Sequence, residues 1–329
     1  MNPVSAAATL NRLRGSVNAG AVHAHARRPF KFFVCGDPAL LGELRGVLLA
    51  GYEGAIPPEA AAAFETLGVS ATVDTTDARA IICVGRSGDR GWLQLERLAA
   101  LRLPVLVLLV EPGIAAPSTP TSAPGPGFAE EYVVDRIAAE TLRGRFLAHL
   151  IDCCKGTEIA VGRRLPALRE AVSVKLTRDA AMNALKVAGA SAVVDHIPVL
   201  GVVLGAFASA GDMFAITAIQ ITLLLQIGAT YGRDPDLGRM WELLPVVGGG
   251  FGWRALAREL AGFIPVGGVF IKAAIAYAGT IVVGEGTQYF YAHGRHMTPT
   301  DAARIYDDAK SSAMSFARDV MARLRRNGK

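Results

Sequence analysis

Lys31-Phe-Phe-Val-Cys-Gly36 is a short run of β-forming residues that ends in a glycine, and with it begins the part of the chain that decides the fold. Residues 39–50 follow with leucines at helical spacing. Two more apolar runs, residues 79–84 and 104–110, flank a predicted helix at 93–101. Strands that are apolar on both faces and alternate with helices indicate a doubly wound, mostly parallel sheet with helices on both sides.

The predicted α/β domain continues past a loop. Residues 114–128 are rich in Pro, Ser, Thr, Gly and Ala, which is typical of flexible loops, and residues 131–135 resume a short strand. Residues 136–156 have the apolar spacing of one helix. We therefore predict an α/β domain over residues 29–157, preceded by a flexible basic N-terminus over residues 1–28.

The second half of the chain is more apolar. The whole sequence of 329 residues is 51% apolar and 19% charged, with a mean hydropathy of +0.34, whereas about 25% charged residues is usual. Residues 213–232 carry no formal charge, and residues 260–284 carry only Lys272. Because a membrane-spanning helix needs about 20 apolar residues, both are candidate spans. We predict an all-α, glycine-rich module with membrane helices over residues 158–294; buried helices of a soluble core are the alternative.

The helices of this module are predicted to pack closely. Residues 168–192 fit one helix, and residues 197–211, which are uncharged but too short to span a membrane, fit half of a hairpin. Small side chains favour close helix approach, and they occur at Ala180, Ala181, Ala184, Ala188, Ala273, Ala274, Ala276 and Ala278. An amphipathic helix over residues 298–326 follows, with Thr298 or Thr300 as its cap.

Several functional classes are disfavoured by composition and spacing. The net charge of +5 is dispersed, which argues against a nucleic-acid interface. The four cysteines, Cys35, Cys83, Cys153 and Cys154, lack metal-site spacing and predict a reduced compartment. No cleavable secretory signal is recognisable in the first 28 residues. We predict no metal, no cofactor and no catalytic residue.

The turn after the first predicted strand lies where phosphate loops occur. A phosphate loop needs four residues between its glycines, followed by Lys and Ser or Thr. Here five residues separate Gly36 from Gly42, and Glu43 and Leu44 follow. An acid in place of the lysine would repel phosphate, so we predict that no nucleoside triphosphate binds there.

The order of two other segments resembles that of small GTPase domains. Asp74-Thr-Thr-Asp77 precedes one predicted strand and Glu111-Pro112 ends the next, as the switch and guanine-reading motifs would, although neither motif is present. We interpret residues 29–157 as a degenerate GTPase-like α/β domain. Any other doubly wound α/β domain is the alternative.

Four residues of the helical module are candidate functional residues. Asp195 and His196 fit a proton-responsive pair at a helix entrance, or a helix cap. Asp212 and Lys272 interrupt the two longest apolar segments, where a lone charge is costly. They are predicted to form an interhelical pair; alternatively, Asp212 ends one helix and caps the next.

The order of motifs in the second half resembles the GTPase-associated domain of unknown function of YcjF-type bacterial inner-membrane proteins. The resemblance covers roughly residues 158–291. Its motifs are Glu158-Ile-Ala-Val-Gly-Arg-Arg-Leu-Pro166, Ala180-Ala-Met-Asn-Ala184, Ile197-Pro-Val-Leu-Gly201, Asp212-Met213, Ile227-Gly-Ala-Thr-Tyr-Gly232, Ile264-Pro-Val-Gly-Gly268, Ala276-Tyr-Ala-Gly-Thr280 and Gly284-Glu285. It implies an all-helical, membrane-associated module in a bacterium, and it supplies no catalytic residues.

Together these features predict a non-enzymatic scaffold or regulatory protein of the bacterial inner membrane, with its α/β domain in the cytoplasm. Membrane lipids and a protein partner or second copy of the chain are the expected partners, without nucleic acid. One alternative is a small transporter or pore component that uses Asp212 and Lys272. Another is a regulator that binds a nucleotide without hydrolysing it.

Overall fold

The computed structural model describes residues 17–327, except 53, 69–72, 89–94, 115–120, 123–128, 195–200 and 237–267. Within helices and strands, the side chains of residues 95–96, 121–122, 129, 189–194, 201–213, 268–272 and 316–327 are also not described. The chain divides into two compact units. The α/β unit is Ala24–Val172, and the helical unit is Ser173–Lys329 together with the start of the chain.

Strands and helices alternate up to residue 172. In chain order the elements are α1 (Ala19–Ala26), β1 (Lys31–Gly36), α2 (Pro38–Leu49), α3 (Pro58–Ala61), β2 (Phe64–Thr66), β3 (Ala78–Arg86), α4 (Leu95–Ala99), β4 (Val105–Val110), β5 (Thr121–Ser122), β6 (Ala129–Val134), α5 (Ala139–Leu142), α6 (Arg145–Asp152) and α7 (Glu158–Arg164). A 3₁₀ turn, Pro166–Leu168, follows α7.

The strands form one six-stranded sheet in the order β2-β1-β3-β4-β6-β5. Five of them are parallel, and only β5 pairs antiparallel, with β6. Strand β4 is buried along its whole length, as expected for a parallel sheet that is covered on both faces. The predicted α/β class and mostly parallel sheet are confirmed.

Both faces of the sheet are packed. Phe33, Ile81 and Val107 belong to the cluster on one face, which also holds Leu98 of α4. The alternate residues of the same strands are buried too; Phe32, Val34, Ile82, Leu106 and Leu108 have no exposed surface. Because successive side chains of a strand point to opposite faces, this pattern requires helices on both sides.

Two local predictions differ from the structure, and one short strand was not predicted. The predicted loop over residues 114–128 contains the short strand β5. The single helix predicted over 136–156 is two helices, because the chain departs from helical geometry at Gly144, where ψ is −96°. Strand β2 was not predicted, since its three residues, Phe-Glu-Thr, are too few to show an alternating pattern.

The helical unit begins at Ser173, several residues after the boundary that the sequence predicted. Its long helices are α8 (Arg169–Val194), whose first four residues belong to the α/β unit, α9 (Gly201–Thr230), α10 (Gly268–His293) and α11 (Pro299–Asn327). The division between the units lies at Val172 rather than at residue 157. The reason is that α7 and the 3₁₀ turn pack onto the α/β unit, where Tyr52 donates a hydrogen bond to the Arg164 carbonyl at 2.6 Å.

Helices α8, α9 and α10 pack through small residues, as predicted. Ala184 and Ala188 of α8 form a buried cluster with Ala273 and Ala276 of α10. A second cluster joins Ala180 to Leu223 and Ile227 of α9. The helical second half of the fold is therefore confirmed.

The long helices differ from the prediction in one place and agree with it in another. Residues 197–211 and 213–232 were predicted as separate elements, but α9 runs without a break from Gly201 to Thr230. The start of α11 is as predicted, because the Thr298 hydroxyl accepts the Asp301 backbone N–H at 3.1 Å.

Among the described residues, no helix has both the length and the apolarity that crossing a membrane requires.

Candidate functional site

The carboxyl edge of the sheet between β1 and β3 is the position at which a doubly wound sheet of this strand order would bind a ligand. In a doubly wound sheet, ligands bind where the connections of neighbouring strands diverge to opposite sides. Here β1 leads outward to β2, and β3 leads to β4 on the other side. The two strand ends are close, because the Asp37 N–H donates to the Val84 carbonyl at 2.9 Å.

Gly36 makes this close approach feasible. Its φ is 120°, a value that side chains other than hydrogen rarely allow, and a Cβ there would overlap the Val84 carbonyl oxygen. The predicted turn after β1 is thus a tight strand-to-helix turn, as in phosphate-binding sheets.

Asp37 caps the N-terminus of α2. One of its carboxylate oxygens accepts the backbone N–H groups of Ala39 at 2.8 Å and Leu40 at 3.2 Å. Pro38 has no N–H to offer. Because phosphates bind helix N-termini through these same groups, the carboxylate occupies the donors and repels an anion. The absence of a nucleoside triphosphate here, predicted from Glu43 and Leu44, stays a prediction.

The segment compared with a GTPase switch lies at the wrong edge of the sheet. Asp77 directly precedes β3, and its carbonyl accepts the N–H of Lys31, the first residue of β1, at 2.9 Å. The Asp74–Thr76 turn is closed by a hydrogen bond from the Thr76 N–H to Asp74 at 2.9 Å. Both therefore lie at the amino ends of the strands, opposite Gly36. Glu111 does follow the carboxyl end of β4, as predicted.

Two cysteines meet at the carboxyl edge. Cys35 of β1 is the register partner of Cys83 of β3, and their Sγ atoms are 3.1 Å apart. Cys83 has no exposed surface, whereas Cys35 is partly exposed. A hydrogen bond from Cys83 lowers the pKa of Cys35, while the same bond and burial raise the pKa of Cys83. The sequence predicted only a reduced compartment for the cysteines, and the pairing of these two thiols was missed.

A second polar cluster joins β6 to α6. The Tyr132 hydroxyl lies 2.8 Å from Glu130 Oε2 and 2.6 Å from His149 Nδ1, and that nitrogen is 2.9 Å from the same carboxylate oxygen. Burial is the main reason that the pKa of Tyr132 lies above its usual value, and the hydrogen bond to Glu130 raises it further. Cys153 lies near, and burial raises its pKa to about 11.

This second cluster is best explained as a structural network. Glu130 and Tyr132 stand two apart on one strand face, a spacing visible in the sequence, but the histidine comes from a helix. The Tyr132 ring packs edge-on against Phe146 of the same helix at 5.4 Å. Within the described part of the chain, no group of three or more His, Cys, Asp or Glu side chains could hold a metal ion.

The four residues predicted for the helical module are only partly located. Asp195 and His196 lie outside the described residues. Asp212 lies within α9 and Lys272 within α10, but their side chains are not described, so their pairing stays a prediction. The alternative in which Asp212 ends one helix and caps the next is wrong, because a cap requires a helix boundary and α9 continues through this position.

Comparison of the chain with protein-family models, with curated proteins and with solved structures finds no match. The resemblance to the YcjF-type domain therefore depends on the quoted motifs alone. A function has to be proposed from the geometry of the two units.

Proposed function

We propose that the chain is a non-enzymatic, membrane-associated scaffold or regulatory protein of the YcjF type, located at the bacterial inner membrane with its α/β unit in the cytoplasm. Its partners are membrane lipids and a protein, either another chain or a second copy. The observation that carries the proposal is how α8, α9 and α10 meet: small residues and inward-facing polar side chains form their interfaces.

The contacts between these helices are of the kind that lipid-embedded helices use. A Cβ on Gly284 of α10 would overlap the side chain of Thr177 of α8, so the two backbones approach closely there. The Gln220 amide of α9 donates to the Thr280 hydroxyl of α10 at 3.3 Å, and both side chains are buried. In lipid, where apolar burial does not drive helix association, such contacts hold helices together.

Four hydroxyl groups of α9 and α10 are hydrogen-bonded within their own helix. Four threonines donate to the carbonyl four residues earlier, at 2.6–2.9 Å: Thr222, Thr230, Thr280 and Thr287. This bonding leaves no hydroxyl donor of theirs to be satisfied by water, as an apolar surrounding demands. Residues 214–230 of α9 also carry no charge.

The α/β unit supports a binding role rather than nucleotide chemistry. Its helix N-terminus at the sheet edge is occupied by Asp37, as described above. A folded domain without that anion site can still present a surface to a partner, which is what a scaffold requires.

The test is fractionation of the full chain expressed in a bacterium. Membranes are separated from aggregates by flotation on a density gradient, and the membrane fraction is then washed with carbonate and extracted with detergent. The proposal predicts that the chain floats with membranes, resists carbonate and needs detergent. A chain that stays in the supernatant without detergent overturns the membrane proposal.

A further inference from the structure

Cys35 and Cys83 stand directly opposite one another on neighbouring strands. Neighbouring strands are about 4.8 Å apart, which falls within the Cα separation of about 4.4–6.8 Å found in disulfides. Their Sγ atoms, now 3.1 Å apart, would have to approach by about 1 Å to reach the S–S bond length of about 2.05 Å. The strands can therefore be cross-linked without a change of register.

The two thiols are unequal in a way that fits two successive steps. Cys83 lies in the apolar cluster under the sheet face, among Phe33, Ile81 and Val107. Cys35 is partly exposed and lies one residue before the end of β1. Whichever thiol ionises gains a hydrogen bond from the other. The more exposed thiol ionises first, because water can solvate its negative charge. Cys35 is thus the attacking thiol.

We propose that Cys35 and Cys83 form a redox-active pair that reduces a small disulfide of the glutathione type and closes as an internal disulfide across the carboxyl ends of β1 and β3. The role goes beyond the proposed scaffold function and does not depend on it, and it is a single stoichiometric exchange rather than catalysis.

The reaction proceeds by two thiol–disulfide exchanges. The Cys35 thiolate attacks one sulfur of the small disulfide and forms a mixed disulfide with it. The S–S bond of the small disulfide breaks, and the departing small thiolate takes up the proton that Cys35 released. Cys83 then attacks the Cys35 sulfur and breaks the mixed disulfide, and its proton goes to the second departing thiolate. Two cysteine thiols are oxidised, and one small disulfide is reduced to two thiols.

The position of the pair favours the second step. Because Cys83 is buried and Cys35 is partly exposed, the small thiol attached to Cys35 can leave towards solvent while Cys83 attacks from the buried side. Cys153 and Cys154 serve as internal comparisons. Burial raises the pKa of both thiols, and Cys154 donates to the Leu150 carbonyl at 3.0 Å.

The experiment equilibrates the reduced full chain in buffers of increasing ratio of oxidised to reduced glutathione, followed by acid quenching, denaturation and alkylation. The number of alkylated cysteines is expected to fall from four to two, and peptide mapping should locate the new bond between Cys35 and Cys83. In the native chain, Cys35 is expected to be alkylated at least about tenfold faster than Cys153 near pH 7.5.

Variants distinguish the roles of the two thiols. Cys83→Ala should accumulate a glutathione adduct at Cys35, Cys35→Ser should form neither adduct nor bond, and Cys153→Ala should behave as the parent chain. The proposal is overturned if the parent chain keeps four alkylatable thiols in every buffer, or if the bond forms between Cys153 and Cys154. These readings need only the parent chain, so they hold even if Cys83→Ala fails to fold.

Discussion

Gly36 is the residue at which β1 and β3 come closest at the carboxyl edge of the sheet. We expect Gly36→Ala to destabilise the α/β unit by about 2 kcal/mol or more, because the methyl group meets the Val84 carbonyl and the residue must keep a φ of 120°. Urea denaturation measures the effect. Gly46→Ala in α2 is the control: nothing lies within 4 Å of its Cβ, so no loss of stability is expected.

If Gly36→Ala and Gly46→Ala lose equal stability, the tight turn after β1 is not present. A loss of stability confined to Gly36→Ala supports the close approach of the two strand ends.

Tyr132 gives a test at high pH. Its folded-state pKa lies above the ordinary value of about 10, so the folded chain keeps a proton that the unfolded chain releases. Its contribution to stability is therefore complete below about pH 10 and is lost as the pH rises further. Tyr132→Phe should cost about 1–2 kcal/mol at pH 8 through the lost hydrogen bonds to Glu130 and His149.

The readout is the difference in unfolding free energy between the parent chain and Tyr132→Phe from pH 8 to 11. The difference should shrink above about pH 10, because only the parent chain has this hydroxyl to ionise. A difference that stays constant over this range contradicts a raised pKa at Tyr132.

At the scale of elements, the close contact between α8 and α10 at Gly284 can be tested directly. We expect Gly284→Ala to destabilise the helical unit by about 1–3 kcal/mol, because its methyl group overlaps the Thr177 side chain. Gly286→Ala on the same helix has open space around its Cβ and should instead stabilise α10 by up to about 1 kcal/mol. Thermal unfolding of the full chain, in detergent if extraction requires it, compares the two.

A double variant identifies the cause. Thr177→Ala removes the two side-chain atoms nearest to the methyl group that Gly284→Ala adds and leaves only the Cβ, so the second substitution should cost less in its presence than alone. Additive losses would mean that α8 and α10 do not meet at this glycine.

At the scale of the whole molecule, the division into two units predicts that residues 24–172 fold alone. Strands β1, β3 and β4 are buried on both faces within this segment, and α7 with the 3₁₀ turn adds Leu165 and Leu168, which have no exposed surface. Circular dichroism and urea titration should show one cooperative transition.

The segment 24–157, which ends at the boundary predicted from the sequence, is the matched control. It lacks Leu165 and Leu168, and burial of each such side chain is worth about 1.5–3 kcal/mol, so it should unfold at a clearly lower urea concentration. Equal midpoints for the two segments would place the boundary at residue 157 after all.

The sequence by itself determined the fold class, the parallel strands, the helical second half and its alanine-rich packing faces, because buried strands and close helix contacts impose a local pattern on the residues that form them. It also indicated, through Glu43, that the turn after β1 is a poor phosphate site. Tertiary structure alone decided the unit boundary at Val172, the continuity of α9, and the meetings of Cys35 with Cys83 and of His149 with Tyr132. Strand order and register set these pairings between residues far apart in the chain, and the sequence carries no periodicity that could record them.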